Sequence, residues 1–395
     1  MKTIDDFHFK GRKVLIRVDF NVPLNKQFEV TDMTRINATI PTLKKILNDG
    51  GSVILMSHLG RPKEGPEEKY SLRHVLTPLS EVLGIPVAFA PDCIGSEATE
   101  LAASLKGGDA LLLENLRFYK QEEKGDVDFA KKLADLGDFY VNDAFGTAHR
   151  AHASTAIIAQ FFKDKACGYV MQAELENADR VMGNPQKPYT AIMGGAKISD
   201  KILIIERLLD RVDNLLIGGA MAYTFFKAKG GKVGKSLVEE DRLDLAKTLM
   251  EKASAKGINL MLPEDSVVAD AFSNEAQTAI ADNMSIEEGW MGLDIGPKAL
   301  AAYQSVIKGS KTILWNGPAG VFEMSKFAQG TEGIAKAVVE ATKQGGFSLI
   351  GGGDSAAAIN NLGFGNEVSY VSTGGGALLE HMEGKVLPGV AALEQ

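Results

Sequence analysis

Short apolar runs alternate with amphipathic stretches along almost the whole chain, and this alternation restricts the fold more than any other feature. Strand-like runs are expected at 13–20, 52–59, 87–90, 110–114 and 139–142. A second set is expected at 189–193, 214–217, 259–262, 311–315, 347–350 and 368–371. Between them, Ile36, Ile40, Leu43, Ile46 and Leu47 keep helical spacing. So do Leu72, Val75, Leu76, Leu79, Val82 and Leu83, and again Ile198, Ile202, Ile205, Leu209 and Val212. A chain that keeps switching from strand to helix builds parallel sheets covered by helices. In such sheets ligands bind outside the carboxyl ends of the strands. The residues that follow each apolar run are therefore where chemistry should be sought.

Those residues change character halfway along. In the first half the runs end in basic or polar groups: Arg17-Val-Asp19-Phe-Asn21, Ser57-His58-Leu59-Gly60-Arg61, Glu114-Asn-Leu-Arg117, and the stretch from Asn142 to His149-Arg150. In the second half they end in glycine turns: Met193-Gly-Gly-Ala-Lys197, Ile217-Gly-Gly-Ala220, Trp315-Asn-Gly-Pro-Ala-Gly320, Ile350-Gly-Gly-Gly-Asp354 and Ser372-Thr-Gly-Gly-Gly-Ala377. Beyond Arg150 arginine occurs only at Arg180, Arg207, Arg211 and Arg242, in segments that read as helices. Guanidinium groups suit a small, multiply charged anion, whereas glycine turns let backbone N–H groups approach phosphates. Two halves with two kinds of anion site suggest two substrates held apart and then joined.

The length of 395 residues allows two or three domains with real cores. A net charge of −8 argues against a nucleic-acid partner, and it makes a local gathering of arginines more informative. Cys93 and Cys167, the only cysteines, form no metal-ligand spacing and are expected to stay reduced. The N-terminus lacks an apolar signal region and no apolar run is long enough to span a bilayer, so a cytoplasmic location without membrane contact is expected. Residues 168–183 read as one helix, broken by Asn184-Pro-Gln-Lys-Pro188, which places a hinge between two α/β halves.

Individual motifs sharpen this. Gly194-Gly-Ala-Lys197-Ile-Ser-Asp-Lys201 follows a strand and reads as the start of a helix, with both lysines on one face. Two ammonium groups there oppose the helix dipole unless a phosphate binds; the plainer alternative is a pair of solvated lysines. Asp354, after three glycines, reads most simply as a helix cap and alternatively as a Mg²⁺ ligand. Gly351, Gly353 and Ala356 also fit a dinucleotide fingerprint, which makes a nicotinamide-dependent dehydrogenase the runner-up, although little chain follows. Gly234-Lys235-Ser236 resembles the end of a Walker loop, but Lys229 stands where its first glycine belongs, so 227–235 reads as a basic surface loop. Arg35 opens the first long helix, and Arg17, Asp19 and Asn21 alternate along one strand face. His58, His149 and His152 read as hydrogen-bonding partners rather than as acid–base catalysts.

Taken together these residues resemble the phosphoglycerate kinase family over nearly the whole chain. The strings are Arg17-Val-Asp-Phe-Asn-Val-Pro23, Ser57-His-Leu-Gly-Arg-Pro-Lys63, Leu113-Glu-Asn-Leu-Arg-Phe118, Asp143-Ala-Phe-Gly-Thr-Ala-His-Arg-Ala-His152, Gly194 to Lys201, Trp315 to Glu323, Gly351 to Ser355 and Ser372 to Ala377. The resemblance implies an α/β monomer of two doubly wound, Rossmann-like parallel-sheet domains joined by a helix hinge. Residues 1–170 would bind 3-phosphoglycerate or 1,3-bisphosphoglycerate, 171–188 would link, and 189–378 would bind Mg²⁺ with ADP or ATP. Residues 379–395 would return to the first domain. It implies phosphoglycerate contacts at Asp19, Asn21, Arg35, His58, Leu59, Gly60, Arg61, Arg117 and Arg150. Nucleotide contacts fall at Lys197, Lys201, Gly292, Glu323, Gly352, Gly353, Asp354 and Ser355, with Asp354 on the metal. Arg35 and Lys197 would stabilise the transferred phosphoryl group as the domains close. Leu378 departs from the family pattern, standing where a small polar residue often follows the glycine string.

Overall fold

A computed structural model describes all of residues 1–395. The chain divides into two compact units, Met1–Glu176 with Gly384–Gln395, and Asn177–Glu383. The helix Tyr169–Met182 carries the chain from the first into the second. Residues 379–382 finish the helix Gly376–Met382 and Glu383 follows as its C-cap in the second unit, and the return to the first begins at Gly384.

The first unit contains β1 (Lys13–Arg17), β2 (Ser52–Met56), β3 (Val87–Ala90), β4 (Ala110–Leu113), β5 (Phe139–Asn142) and β6 (Lys165–Cys167). They form one sheet in the order β3-β4-β2-β1-β5-β6, parallel throughout. β2, β4 and β5 are buried at every position, because helices cover both faces; their sequences are apolar runs rather than alternations. The chain builds outward from β1 on one side and then returns to its other side with β5. That reversal opens a crevice at the carboxyl ends of β1 and β5.

The second unit contains β7 (Tyr189–Met193), β8 (Asn214–Ile217), β9 (Lys232–Val233), β10 (Asn259–Met261), β11 (Asp265–Ala269), β12 (Thr278–Asp282), β13 (Ser285–Ile286), β14 (Met291–Ile295), β15 (Thr312–Asn316), β16 (Phe347–Gly351) and β17 (Tyr370–Val371). Its main sheet runs β10-β8-β7-β15-β16-β17, again all parallel, with the reversal between β7 and β15. Trp315 on β15 is fully buried and fills this core with Ile192, Leu216, Ile313 and Ile350. Each such side chain contributes about 1.5–3 kcal/mol of burial.

Several expectations need correction. The strand expected at 13–20 stops at Arg17, and that at 52–59 stops at Met56; beyond them the Phe20 N–H donates to the Ser57 side-chain oxygen rather than to a backbone ladder partner. The helix expected from Leu72 is a 3₁₀ turn, Leu72–Val75, before a true helix, Leu76–Leu83. The Leu76 N–H donates to the Arg73 carbonyl, which closes the turn as 3₁₀, and Pro78 has no N–H to give the residue 74 carbonyl in the turn that follows. An antiparallel sheet, β12-β11-β14, was not expected at all. β12 is largely exposed and β14 contains Gly292 and Asp294, so neither shows an apolar run. The stretch 227–235 is not one loop: Lys227 lies in the last turn of the helix Met221–Ala228, and β9 pairs with β13.

Candidate active site

In the first unit the crevice is built from loops after β1, β2, β4 and β5. Arg35 lies in the first turn of the helix Thr34–Asn48 and donates to the Asn21 carbonyl at 2.8 Å and to Asp19 Oδ1 at 3.3 Å. Asp19 thus supplies the negative charge that a cation at a helix N-terminus requires. Asn21 Oδ1 accepts from the Gly60 N–H at 2.9 Å, and Arg117 Nη1 donates to the Gly60 carbonyl at 3.2 Å. Gly60 has φ +62°, and a Cβ there would lie 2.3 Å from the Tyr70 ring, so only glycine fits. Asn115 grips the same loop: it accepts from the Leu59 N–H and donates to the Leu59 carbonyl. Asp19, Asn21, Arg35, Leu59, Gly60 and Arg117 are therefore joined through one hydrogen-bonded loop system; the His58 ring meets the buried Arg17 instead, and Arg61 and Arg150 stand exposed.

The electrostatics of this unit are cationic. Burial lowers the Arg117 pKa, and Arg17 and Arg150 push the same way against Glu123. Its Nε is buried without a hydrogen-bond partner and lies 3.7 Å from Glu123 Oε1 in an ion pair. Burial also drives His58 well below the ordinary histidine range, assisted by Arg17, Arg117 and Arg35. His152 falls to about 4 for the same reasons, burial first and then Arg117, Arg17 and Arg150. Both rings are neutral at pH 7 and cannot repel the cations around them. Arg17 differs from the other arginines. It is fully buried, so the shared strand face expected for Arg17, Asp19 and Asn21 does not exist.

The second unit brings glycine turns together at the β7/β15 reversal. Gly194 N–H donates to the Asn316 carbonyl, and a Cβ on Gly194 would lie 2.1 Å from the Pro318 carbonyl oxygen. Backbone strands cross here with no space for side chains. Lys201 Nζ donates to Asn316 Oδ1, and Asn316 Nδ2 donates to the Gly351 carbonyl at 2.9 Å. Burial lowers the Lys201 pKa, countered by Asp200, Asp354 and Glu383. Lys197 and Lys201 do not share a helix face as expected. Lys197 is exposed in extended backbone before the 3₁₀ turn Ile198–Asp200, and the helix itself starts at Ile202.

Asp354 is not a cap. Gly352, at φ +95°, occupies that position, and Asp354 is the exposed second residue of the helix Gly353–Asn361. Ser355 is buried and accepts from the Gly317 N–H at 2.6 Å, which ties the β16 turn to the β15 turn. Gly292, Glu323 and Asp354 line a cavity of about 530 Å³, walled by Leu237, Phe272, Met291 and Val321 and by the turns at Gly195, Gly219 and Gly320. The glycine turns were legible in the sequence; the apolar walls Leu237, Phe272, Met291 and Val321 were not, since they lie on β14 and on loops without a motif. A Cβ on Gly292 would lie 1.9 Å from the Tyr223 hydroxyl, so this residue keeps the cavity wall flat. A larger hollow of about 740 Å³, lined by Phe226, Met250, Ile258 and Met284, contains none of the expected ligand residues.

Comparison with known proteins agrees with this reading. Residues 4–385 match the family model described as phosphoglycerate kinase. The phosphoglycerate kinase of Porphyromonas gingivalis is 53% identical over 417 residues, covering 99% of this chain and 100% of that one. The cytosolic phosphoglycerate kinase of Nicotiana tabacum is 54% identical over 392 residues, covering 99% and 98%. The solved phosphoglycerate kinase of Coxiella burnetii superposes with a TM-score of 0.90 at 40% identity, over 100% of this chain and 98% of that one.

Proposed function

The chain belongs to the phosphoglycerate kinase family, and on that premise we propose how its residues divide the work of phosphoryl transfer. It is a phosphotransferase with a carboxyl group as acceptor, exchanging a phosphoryl group between 1,3-bisphosphoglycerate and ADP to give 3-phosphoglycerate and ATP. The runner-up dehydrogenase is set aside by the same match.

In our reading the acyl phosphate belongs to the first unit. The observation that carries this is the loop system joining Arg35, Asn21, Gly60 and Arg117 at the strand reversal. Arg61, Arg117 and Arg150 bind the phosphate and carboxylate, Asp19 and Asn21 hold Arg35 and the Gly60 loop, and Leu59 and Gly60 bring backbone groups to the ligand. The nucleotide belongs to the second unit. Its base enters the apolar cavity beside Gly292, its ribose meets Glu323, and its phosphates meet Lys201, Gly352, Gly353 and the turn that Ser355 braces.

Mg²⁺ would be bound as part of the nucleotide substrate, with Asp354 as the residue to hold it, and would supply charge neutralisation. No group of three or more acidic, histidine or cysteine side chains could cage a metal alone. One exposed carboxylate, Asp354, fits an ion whose other ligands are phosphates and water.

No general base is needed. In one direction the nucleophile is a carboxylate, with a pKa near ~4, and in the other an ADP oxygen, also ionised. Catalysis then rests on alignment and on charge stabilisation of the equatorial oxygens by Arg35 and Lys197. In-line transfer needs both ligands bound, so kinetics are sequential. We also infer a monomer, and Cys93 and Cys167, buried and unpaired, support a reducing compartment such as the cytoplasm. No helix is long and apolar enough to cross a membrane. A coupled assay of ATP consumption with 3-phosphoglycerate and Mg²⁺ tests the reading: turnover requires all three, and consumption without 3-phosphoglycerate contradicts it.

A further inference from the structure

Beneath the arginine pocket lies a buried polar chain that the reaction does not itself use. Glu122, fully buried in the short helix Lys120–Glu123, accepts from the Ser154 N–H at 2.7 Å and from Ser154 Oγ at 2.5 Å. A hydroxyl has one proton, so Ser154 Oγ serves Arg17 only as an acceptor, from Nε at 2.8 Å. Arg17 Nη1 donates to the Val18 carbonyl, and Nη2 lies 3.1 Å from His58 Nδ1. Arg17 and Ser154 are fully buried, and His58 is 4% exposed. A guanidinium cannot accept a hydrogen bond. His58 Nδ1 must therefore be the acceptor, and a neutral ring then carries its proton on Nε2.

We propose that Arg17, held by Ser154 and Glu122, is a positioning residue that locks the His58 imidazole with its proton on Nε2, so that this N–H is the donor His58 offers to the phosphoglycerate. The proposal rests on the phosphoglycerate contact that membership of the family implies for His58. The charged and titratable groups acting on the ring are Arg17, Arg117, Arg35 and His152, and burial with these cations keeps it neutral. Glu122 offsets the Arg17 charge through the Ser154 hydroxyl, so the pair is not a bare buried cation. A solely structural network would leave both the tautomer and the KM for phosphoglycerate indifferent to Arg17.

The test is ¹H–¹⁵N long-range NMR on ligand-free full-length protein at pH 7.5. The chain has only six histidines, and His58→Gln assigns the signal. The wild type should show a protonated Nε2 and a hydrogen-bonded, unprotonated Nδ1. Arg17→Met should mix the tautomers and raise the KM for 3-phosphoglycerate about ten-fold, with the KM for ATP unchanged, as expected for one charge-assisted hydrogen bond. Arg17→Lys keeps a donor and should restore both. If Arg17→Met does not fold, Ser154→Ala removes the bridge and should shift the Nδ1 signal with an about three-fold rise in the same KM. A proton on Nδ1, an imidazolium, or an unchanged tautomer in folded Arg17→Met overturns the lock. If 3-phosphoglycerate leaves the His58 Nε2 signal unmoved, the substrate role fails while the lock stands.

Discussion

At the scale of single residues, Lys197 and Arg35 carry the sharpest chemical claim. Lys197→Ala should cut kcat by about 10²–10³, the usual loss for one transition-state donor, while the dissociation constant for ADP changes little. Arg35→Ala should behave alike, and steady-state kinetics with equilibrium binding check both. His152 gives a pH prediction. Its folded pKa of about 4 lies below the unfolded value of 6.5, so the unfolded chain binds the proton more tightly. Stability is therefore lost as pH falls from 6.5 toward 4. Thermal melts of His152→Gln should show a smaller loss over that window than the wild type; equal slopes would contradict the assignment. The sequence made the identity of these residues legible, since arginines and histidines stand out after apolar runs. It did not show which arginine was buried. Arg17 reads like Arg61 in a string of letters, and only packing against Ser154 and His58 separates them.

At the scale of elements, the strands and the linker helix were legible because parallel sheets demand long apolar runs and helices keep their spacing. What escaped was built on exposed or glycine-containing strands: β12, and β14 with the cavity wall it carries. The lysine pair was misplaced because a 3₁₀ turn and a helix look the same over four residues. The C-terminal segment shows how a remote element supports a site. Gly389 N–H donates to the Ala148 carbonyl at 2.8 Å, and a Cβ on Gly389 would lie 3.0 Å from Ala148 Cα. Leu387 and Leu393 are buried there. Gly389→Val should displace the loop that ends in Arg150 and raise the KM for 3-phosphoglycerate about three- to ten-fold, without a matching change for ATP. Initial-rate kinetics at saturating concentrations of the fixed substrate decide this.

At the scale of the whole molecule, the proposal assigns two different anions to two sheets of similar winding. One would surround its ligand with side-chain cations, and the other would use backbone groups and the half-buried Lys201. That separation was visible in the sequence as a change from arginine to glycine after successive strands, because a doubly wound sheet always exposes its strand ends to ligand. The most direct measurement is calorimetric titration of 3-phosphoglycerate and of Mg²⁺ with ADP into Arg61→Ala and Lys201→Ala. Arg61→Ala should weaken 3-phosphoglycerate about 10–100-fold and leave ADP intact, with Lys201→Ala showing the reverse. A loss of ADP binding in Arg61→Ala, or of 3-phosphoglycerate binding in Lys201→Ala, would contradict the division.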